Sequence, residues 1–278
     1  MPELPEVETL KRELNKVLID LKIKDVQVLW AKTVNPLSPN TFLKQIKGKK
    51  IIEVRRRAKM LFLDFEGSLA LAVHLKMTGQ LIFVPPRTVL LGDLSRTVLG
   101  GHPDNQMLEK QPSKYTRLIF EFTDKSKLYF NDLRKFGWVK LVDDTQMSRL
   151  VERVGPEPLS PSFTPQVLIN IFKKYPNRTI KQLLLDQTLV AGIGNIYADE
   201  ACFLSKLKPN RKSFTLKPEQ IKTLRDNIIK VLKLSIKNKG TSSRNYRRSD
   251  GSQGGFVPHL NVYGRGGKPC KVCTQVIQ

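Results

Sequence analysis

The sequence predicts an α+β protein whose strand-rich N-terminal half is followed by a helical half. Three observations carry that prediction. Residues 22–142 hold short β-branched and aromatic runs between turn residues, residues 165–238 show helical spacing, and a proline-rich stretch separates the two. A chain of 278 residues is long enough for one large domain or two ordinary ones, each with its own core.

The first element is a helix over 6–18. Val7, Leu10, Leu14, Val17 and Leu18 share one face, and Pro5 suits a first helical turn. Strand-like runs follow: VQVLW (26–30), KIIEV (50–54), MLFLDF (60–65), LALAVHL (69–75), RLIFEF (117–122) and KLYF (127–130). An insertion over 85–115, rich in Gly, Pro and polar residues, has the length of a functional or mobile loop. GPEPLSPSFTP (155–165) carries four prolines and reads as a linker. Helical patterns occupy 165–174, 179–185, 195–204 and 217–238, and 255–278 reads as a β-ribbon ending in a metal-type knuckle. These limits divide the chain into 1–145, a linker 146–165, a helical domain 166–250 and a terminal ribbon 251–278.

Charge restricts the partner. There are 48 Lys and Arg against 25 Asp and Glu, a net +23, and 206–248 alone holds fourteen basic residues against two acids. Such an excess points to a polyanion, since each neutralised phosphate releases condensed counterions. No apolar run approaches the roughly 20 residues of a membrane span. The N-terminus MPELPEVETL lacks the basic and apolar stretches of a signal peptide, so the expected location is the cytoplasm. The three cysteines do not form a disulfide framework. Cys202 lies in a helical pattern and reads as a buried thiol, whereas Cys270-Lys-Val-Cys273 has the spacing of a metal knuckle.

Six blocks share a second property. MPELPEVET, HLKMTG (74–79), NDLRKFG (131–137), GPEPLS (155–160), LLLDQTLVAGIGNIYADEACF (183–203) and VYGRGGKPCKVC (262–273) together resemble the formamidopyrimidine-DNA glycosylase family (Fpg, or MutM), in that family's order and over nearly the whole chain. The resemblance implies an N-terminal β-sandwich with the first helix packed on it, a helix–two-turn–helix domain, and a zinc-finger ribbon. It implies base excision at 8-oxoguanine and ring-opened purines in duplex DNA, followed by β- and δ-elimination, by a monomer that needs no redox cofactor.

The residues supply a chemistry that fits. Initiator Met before Pro is normally removed, which leaves Pro2 as an N-terminal secondary amine, neutral enough near pH 7 to attack a sugar carbon. Glu3 beside it would serve acid–base chemistry, and Glu6, near a helix N-terminus, would support the site or only the helix. The resemblance assigns Lys59 to phosphates beside the lesion, although Ala58 stands where the family more often has Gly. Lys59 otherwise reads, with Arg55, Arg56 and Arg57, as a solvated strand edge. Gly192 and Gly194 would permit a double turn, Asn195 would cap the following helix, and that helix's amides would form an anion site. By resemblance, Lys181 and Asn195 reach the lesion phosphates, and Met77, Arg134 and Phe136 fill the gap left by the flipped nucleotide. The Ser- and Gly-rich loop 241–256 suits a lid.

The family's zinc ribbon takes two Cys-x-x-Cys pairs. Cys270 and Cys273 supply the first, and no second pair follows, so the chain is expected to stop within the finger. A chain that truly lacks the second half would bind DNA more weakly, because two thiolates do not complete a four-coordinate site. The alternatives are an endonuclease VIII-like enzyme for oxidised pyrimidines, a non-catalytic lesion binder and a basic RNA-binding protein. Pro2, Glu3 and Lys59 speak against a pure binder, and the wedge residues and the double turn speak against an RNA binder.

Overall fold

The computed structural model describes residues 1–86, 98–101, 111–241 and 255–278. They form two compact units, one of residues 1–2 and 6–150 and the other of 3–5, 151–241 and 255–278. The architecture is the expected α+β, with two antiparallel sheets in the first unit and helices in the second.

The first unit holds helix α1 (Leu4–Leu18) from Glu6 onward, β1 (Ile23–Val28), α2 (Pro39–Ile46), β2 (Ile51–Arg57), β3 (Met60–Phe65), β4 (Leu69–His74), β5 (Gly79–Val84), β6 (Val98–Gly101), β7 (Thr116–Phe122), β8 (Lys127–Asp132), β9 (Trp138–Asp143) and most of α3 (Asp144–Glu152). The sheets run β1-β7-β8-β5-β6 and β2-β3-β4-β9. Alternation sends Leu118, Phe120 and Phe122 of β7 into the same core as Val54, Leu63, Leu71 and Val139 of the other sheet. Val7, Leu10 and Leu14 of α1 enter that core too, so the helix packs on the sandwich.

Three departures from the sequence expectation have physical causes. Strand β5 opens with Gly79 and Gln80, which hide its alternation, and β9 carries Lys140 and Asp143 beside its apolar positions. Helix α2 is only eight residues long, started by Ser38, whose hydroxyl accepts the Thr41 N–H at 3.1 Å. Within the insertion 85–115, residues 98–101 pair with β5 as strand β6, so part of that stretch is sheet. Residues 87–97 and 102–110 lie outside the described residues.

The register brings several connections to one rim of the sandwich. Met60 of β3 pairs with His74 of β4, His74 with Trp138 of β9, and Gly79 of β5 with Asp132 of β8. The β2–β3 turn, the β4–β5 loop and the β8–β9 loop therefore share that rim.

In the second unit, α4 (Pro165–Lys174), α5 (Ile180–Leu185), α6 (Asn195–Leu204) and α7 (Pro218–Lys237) surround a core of Leu168, Phe172, Leu183, Tyr197, Leu224, Ile228 and Leu232. Side chains start the first two: Thr164 accepts from the Val167 N–H, and Thr179 with Gln182 forms a capping box. The expected terminal ribbon shrinks to one bridge between Pro269 and Val276, with the Cys270 N–H donating to Gln275 at 2.7 Å. Among the described residues no helix is long and apolar enough to cross a membrane.

Candidate active site

The N-terminus is the first surprise. Chain ends are loose unless tied down, yet Pro2, Glu3 and Leu4 are all buried. The Leu4 N–H donates to the Gly192 carbonyl at 3.0 Å. The Glu3 carboxylate accepts the N–H groups of Gly194 at 2.7 Å, Ile196 at 3.0 Å and Tyr197 at 3.5 Å. These are the amides at the start of α6. The helix-start anion site anticipated for phosphate is therefore filled by the chain's own Glu3.

This corrects the sequence reading at two positions. Asn195 does not cap α6; it is the first helical residue, exposed, and the N-cap is Gly194, which has no side chain to cap with. Only Gly192 needs glycine for its backbone angle, with φ +85°. Gly194 is required for space, because a Cβ there would lie 2.3 Å from the Glu3 carboxyl carbon.

One other sequence candidate of the second unit, Lys181, lies nearby. The Lys181 ammonium lies 2.8 Å from the Asp199 carboxylate. Tyr263, which sequence reasoning passed over, is half-buried, and its hydroxyl is pushed up by burial and by the charges of Glu3 and Asp199. Its loop hangs on Glu200, a fully buried carboxylate that accepts the N–H groups of Asn261, Val262 and Tyr263 at 2.8–3.0 Å. The tyrosine stood in the VYGRGG block, but Glu200 looked like any helical acid until the fold brought the loop to it.

The rim of the first unit presents Met77, Arg134 and Phe136. Core packing, the ordinary fate of Met and Phe, does not apply, since Met77 is 42% and Phe136 54% exposed. The Arg134 guanidinium sits 4.8 Å from the Phe136 ring centre. One buried residue ties their two loops together. Asp132 accepts the Thr78 hydroxyl from the Met77 loop, the Arg134 N–H at 3.2 Å and the Gly137 N–H at 2.7 Å. It stands in NDLRKFG, but only the sheet register reveals that it joins two loops.

Lys59 lies on the same rim and is 4% exposed, so it is not a solvated edge charge. It forms, with Ala58, the two-residue turn between Arg57 and Met60. Ala58 adopts φ +54°, the left-handed region in which glycine is easiest. The neighbouring arginines are paired too: Arg55 with Asp64, and Arg56 with Glu8 at 2.9 Å. Burial pushes the Glu8 carboxyl up, but hydrogen bonds from Arg56 and Arg12 outweigh it and hold the group below its usual range. Beside the turn, His74 is held down to about 3 by burial and by Lys76 and Lys59. Its Nδ1 accepts the Lys76 N–H at 3.0 Å, so the neutral ring carries its proton on Nε2. Glu6 is buried in the first turn of α1.

Two family descriptions match the chain: the formamidopyrimidine-DNA glycosylase N-terminal domain over residues 1–139 and the H2TH domain of the same enzymes over 154–247. The chain belongs to the formamidopyrimidine-DNA glycosylase family. It is 39% identical to the formamidopyrimidine-DNA glycosylase of Ligilactobacillus salivarius, over all of this chain and 93% of that one. A Lactococcus lactis Fpg variant in complex with Fapy-dG DNA superposes with a TM-score of 0.84 at 32% identity, covering 100% of this chain and 93% of that chain. The Lactococcus enzyme bound to DNA with an abasic site gives the same TM-score.

The cysteine knuckle of this Fpg member consists of Cys270 and Cys273. The Cys270 thiol is drawn below its usual value by the backbone N–H groups of Cys273 and Val272, a setting that favours the metal-binding thiolate. Two sulfurs are half of a structural zinc's four ligands. Among the described residues no group of three or more His, Cys, Asp or Glu comes together. These residues do not make a zinc site by themselves. Cys202 is buried, its thiol pushed up to about 12 by burial, and is inert in that form. The expected lid falls mostly on 242–254, outside the described residues.

Proposed function

We propose that this chain is a bifunctional enzyme of base-excision repair: a DNA glycosylase for oxidised purines that uses the amine of Pro2 and then cuts the strand at the abasic site. The observation that carries the reading is the tied-down N-terminus. Glu3 and Leu4 are hydrogen-bonded to the turn before α6 and to its first amides, so the residue that becomes the terminus after loss of Met1 is held in place. A nucleophile must be positioned before its intrinsic reactivity counts.

The Pro2 nitrogen attacks the sugar C1′, and the glycosidic bond breaks with its electron pair leaving on the base, which takes a proton. Opening of the sugar at O4′, which takes up the proton that Glu3 received from Pro2, gives a charged iminium, the electron sink for eliminations that break first the C3′–O and then the C5′–O bond. Glu3 is the adjacent carboxylate. Accepting amide hydrogens suits its anionic form, so its role here is to receive protons, first from Pro2. Met77, Arg134 and Phe136, exposed together on the first unit's rim, fill the space of the flipped nucleotide, with Arg134 facing the orphaned partner base. Lys59, Lys181 and Asn195 hold the phosphates around the lesion, and His74 and Tyr263 add donors to the same task. Cys270 and Cys273 would supply two of the four ligands that a structural zinc takes. The work is on cytoplasmic DNA.

Trapping with borohydride tests the reading. Incubated with duplex DNA bearing 8-oxoguanine opposite cytosine, the protein should form a covalent complex that survives a denaturing gel, and a preparation that retains Met1 should form none. A band with a preformed abasic site alone would remove the assignment of 8-oxoguanine as substrate. No band with either would remove the Pro2 chemistry.

A further inference from the structure

Arg56 lies on β2 three residues before Lys59 and points away from solvent, with a side chain only 7% exposed. Its Nε donates to the Glu8 carboxylate of α1 at 2.9 Å. Its Nη1 donates to the Ala58 carbonyl at 3.0 Å. That carbonyl belongs to the peptide that leads into Lys59. Fixing its plane fixes ψ of Ala58 and φ of Lys59, and with them the direction in which the Lys59 side chain leaves the turn.

The turn needs such a hold. A non-glycine residue in the left-handed region is strained and persists only where its surroundings over-determine it. Glycine in place of Ala58 would relieve the strain but would also let the peptide rotate. A buried ion pair is seldom a net gain in stability over apolar residues of the same size, so Glu8–Arg56 is poorly explained as a stabilising contact alone. A guanidinium is the one side chain whose fork can grip a carboxylate and a carbonyl together. Glu8 is itself held from the other side by Arg12 at 2.8 Å.

We propose that Glu8 and Arg56 are positioning residues that aim Lys59: the carboxylate of α1 orients the guanidinium, and the guanidinium locks the peptide of the β2–β3 turn. The inference rests on the reading of Lys59 as a phosphate ligand. It adds that a helix-borne acid outside the reacting centre sets how well that ligand works.

A double-mutant cycle separates this role from plain stability. Binding to a duplex holding a tetrahydrofuran abasic analogue would be followed by anisotropy over a range of salt, and borohydride trapping would be timed on a preformed abasic site. Lys59→Met should weaken binding roughly tenfold and lower the slope of log affinity against log salt by about one. Arg56→Met should reproduce most of that loss at temperatures where the variant is fully folded, and should add nothing in the Lys59→Met background. Arg56→Lys, which keeps charge but loses the fork, should restore only part. Should Arg56→Met alone fold poorly, the pair Glu8→Gln/Arg56→Met leaves neither of these two charges behind and gives the same readout. Additive losses, or an unchanged affinity, slope and trapping rate for Arg56→Met, would overturn the proposal. An inert Lys59→Met would overturn it as well, and would show by that single variant that the phosphate role of Lys59 had failed first.

Discussion

The two units of this protein use buried carboxylates in opposite ways. In the second unit, Glu3 and Glu200 each collect backbone N–H groups around themselves, the first at the start of α6 and the second along the 261–263 loop. The amides are consumed, and the side chains of Lys181, Asn195 and Tyr263 stand beside a backbone already satisfied. In the first unit, Asp132 draws two loops together so that Met77, Arg134 and Phe136 project outward. The contrast teaches that a helix N-terminus is not automatically a ligand site. Where the chain supplies its own anion, as Glu3 does here, a phosphate would have to be met by side chains instead.

The comparison is most easily broken at Gly194. A Cβ there displaces the Glu3 carboxylate, so Gly194→Ala should slow borohydride trapping by about 100-fold, the scale of losing one acid–base group. Circular dichroism and Tm should show the fold kept. Unchanged trapping would mean that the amide-bound position of Glu3 is irrelevant to the chemistry.

The next largest effect is on acid stability. The unfolded chain protonates His74 below about pH 6.5, whereas the folded protein resists until about 3. Stability is therefore full above pH 6.5 and falls as pH drops towards 3, with a slope of up to about 1.4 kcal/mol per pH unit from this group. Urea titrations of wild type and His74→Asn at several pH values should show the variant lacking that component. Parallel pH profiles would contradict a buried neutral imidazole.

Asp132→Ala tests the first unit's half of the contrast. Loss of the shared acceptor should cost about 1–3 kcal/mol, read as a lower urea midpoint, and should slow 8-oxoguanine excision more than cleavage at a preformed abasic site. Asp132→Asn keeps an acceptor and the shape, and should be milder. Equal slowing of both reactions would show that Asp132 only stabilises. The smallest effect belongs to Ala58→Gly, which should raise stability by up to about 1 kcal/mol by relieving the left-handed alanine. A loss of stability would show that the turn holds alanine without strain.

Much of this was legible in the residues. The helices over 165–174 and 195–204 follow from apolar spacing that repeats across three turns. Strands β3 and β4 follow from apolar runs broken only by Asp64 and closed by His74. Strands β5 and β9 were not legible, because polar or glycine positions interrupt them and their neighbours complete the pattern only in space. At the site, Pro2, Glu3, Met77 and Phe136 stood out because each is an unusual residue in a recognisable block. Glu8, Arg56, Asp132 and Glu200 did not, since an acid or an arginine in a helix or strand looks like solvated charge until its partner is known.

The sequence by itself determined the polyanion partner, the α+β order of elements and the family, because composition, periodicity and short motifs are local properties. Only the tertiary structure decided which groups those residues meet. Glu3 caps a helix 191 residues away, and Glu8 reaches an arginine 48 residues on. Asp132 closes a loop 54 residues back. A hydrogen bond depends on position to within a fraction of an ångström, and no one-dimensional pattern carries that distance.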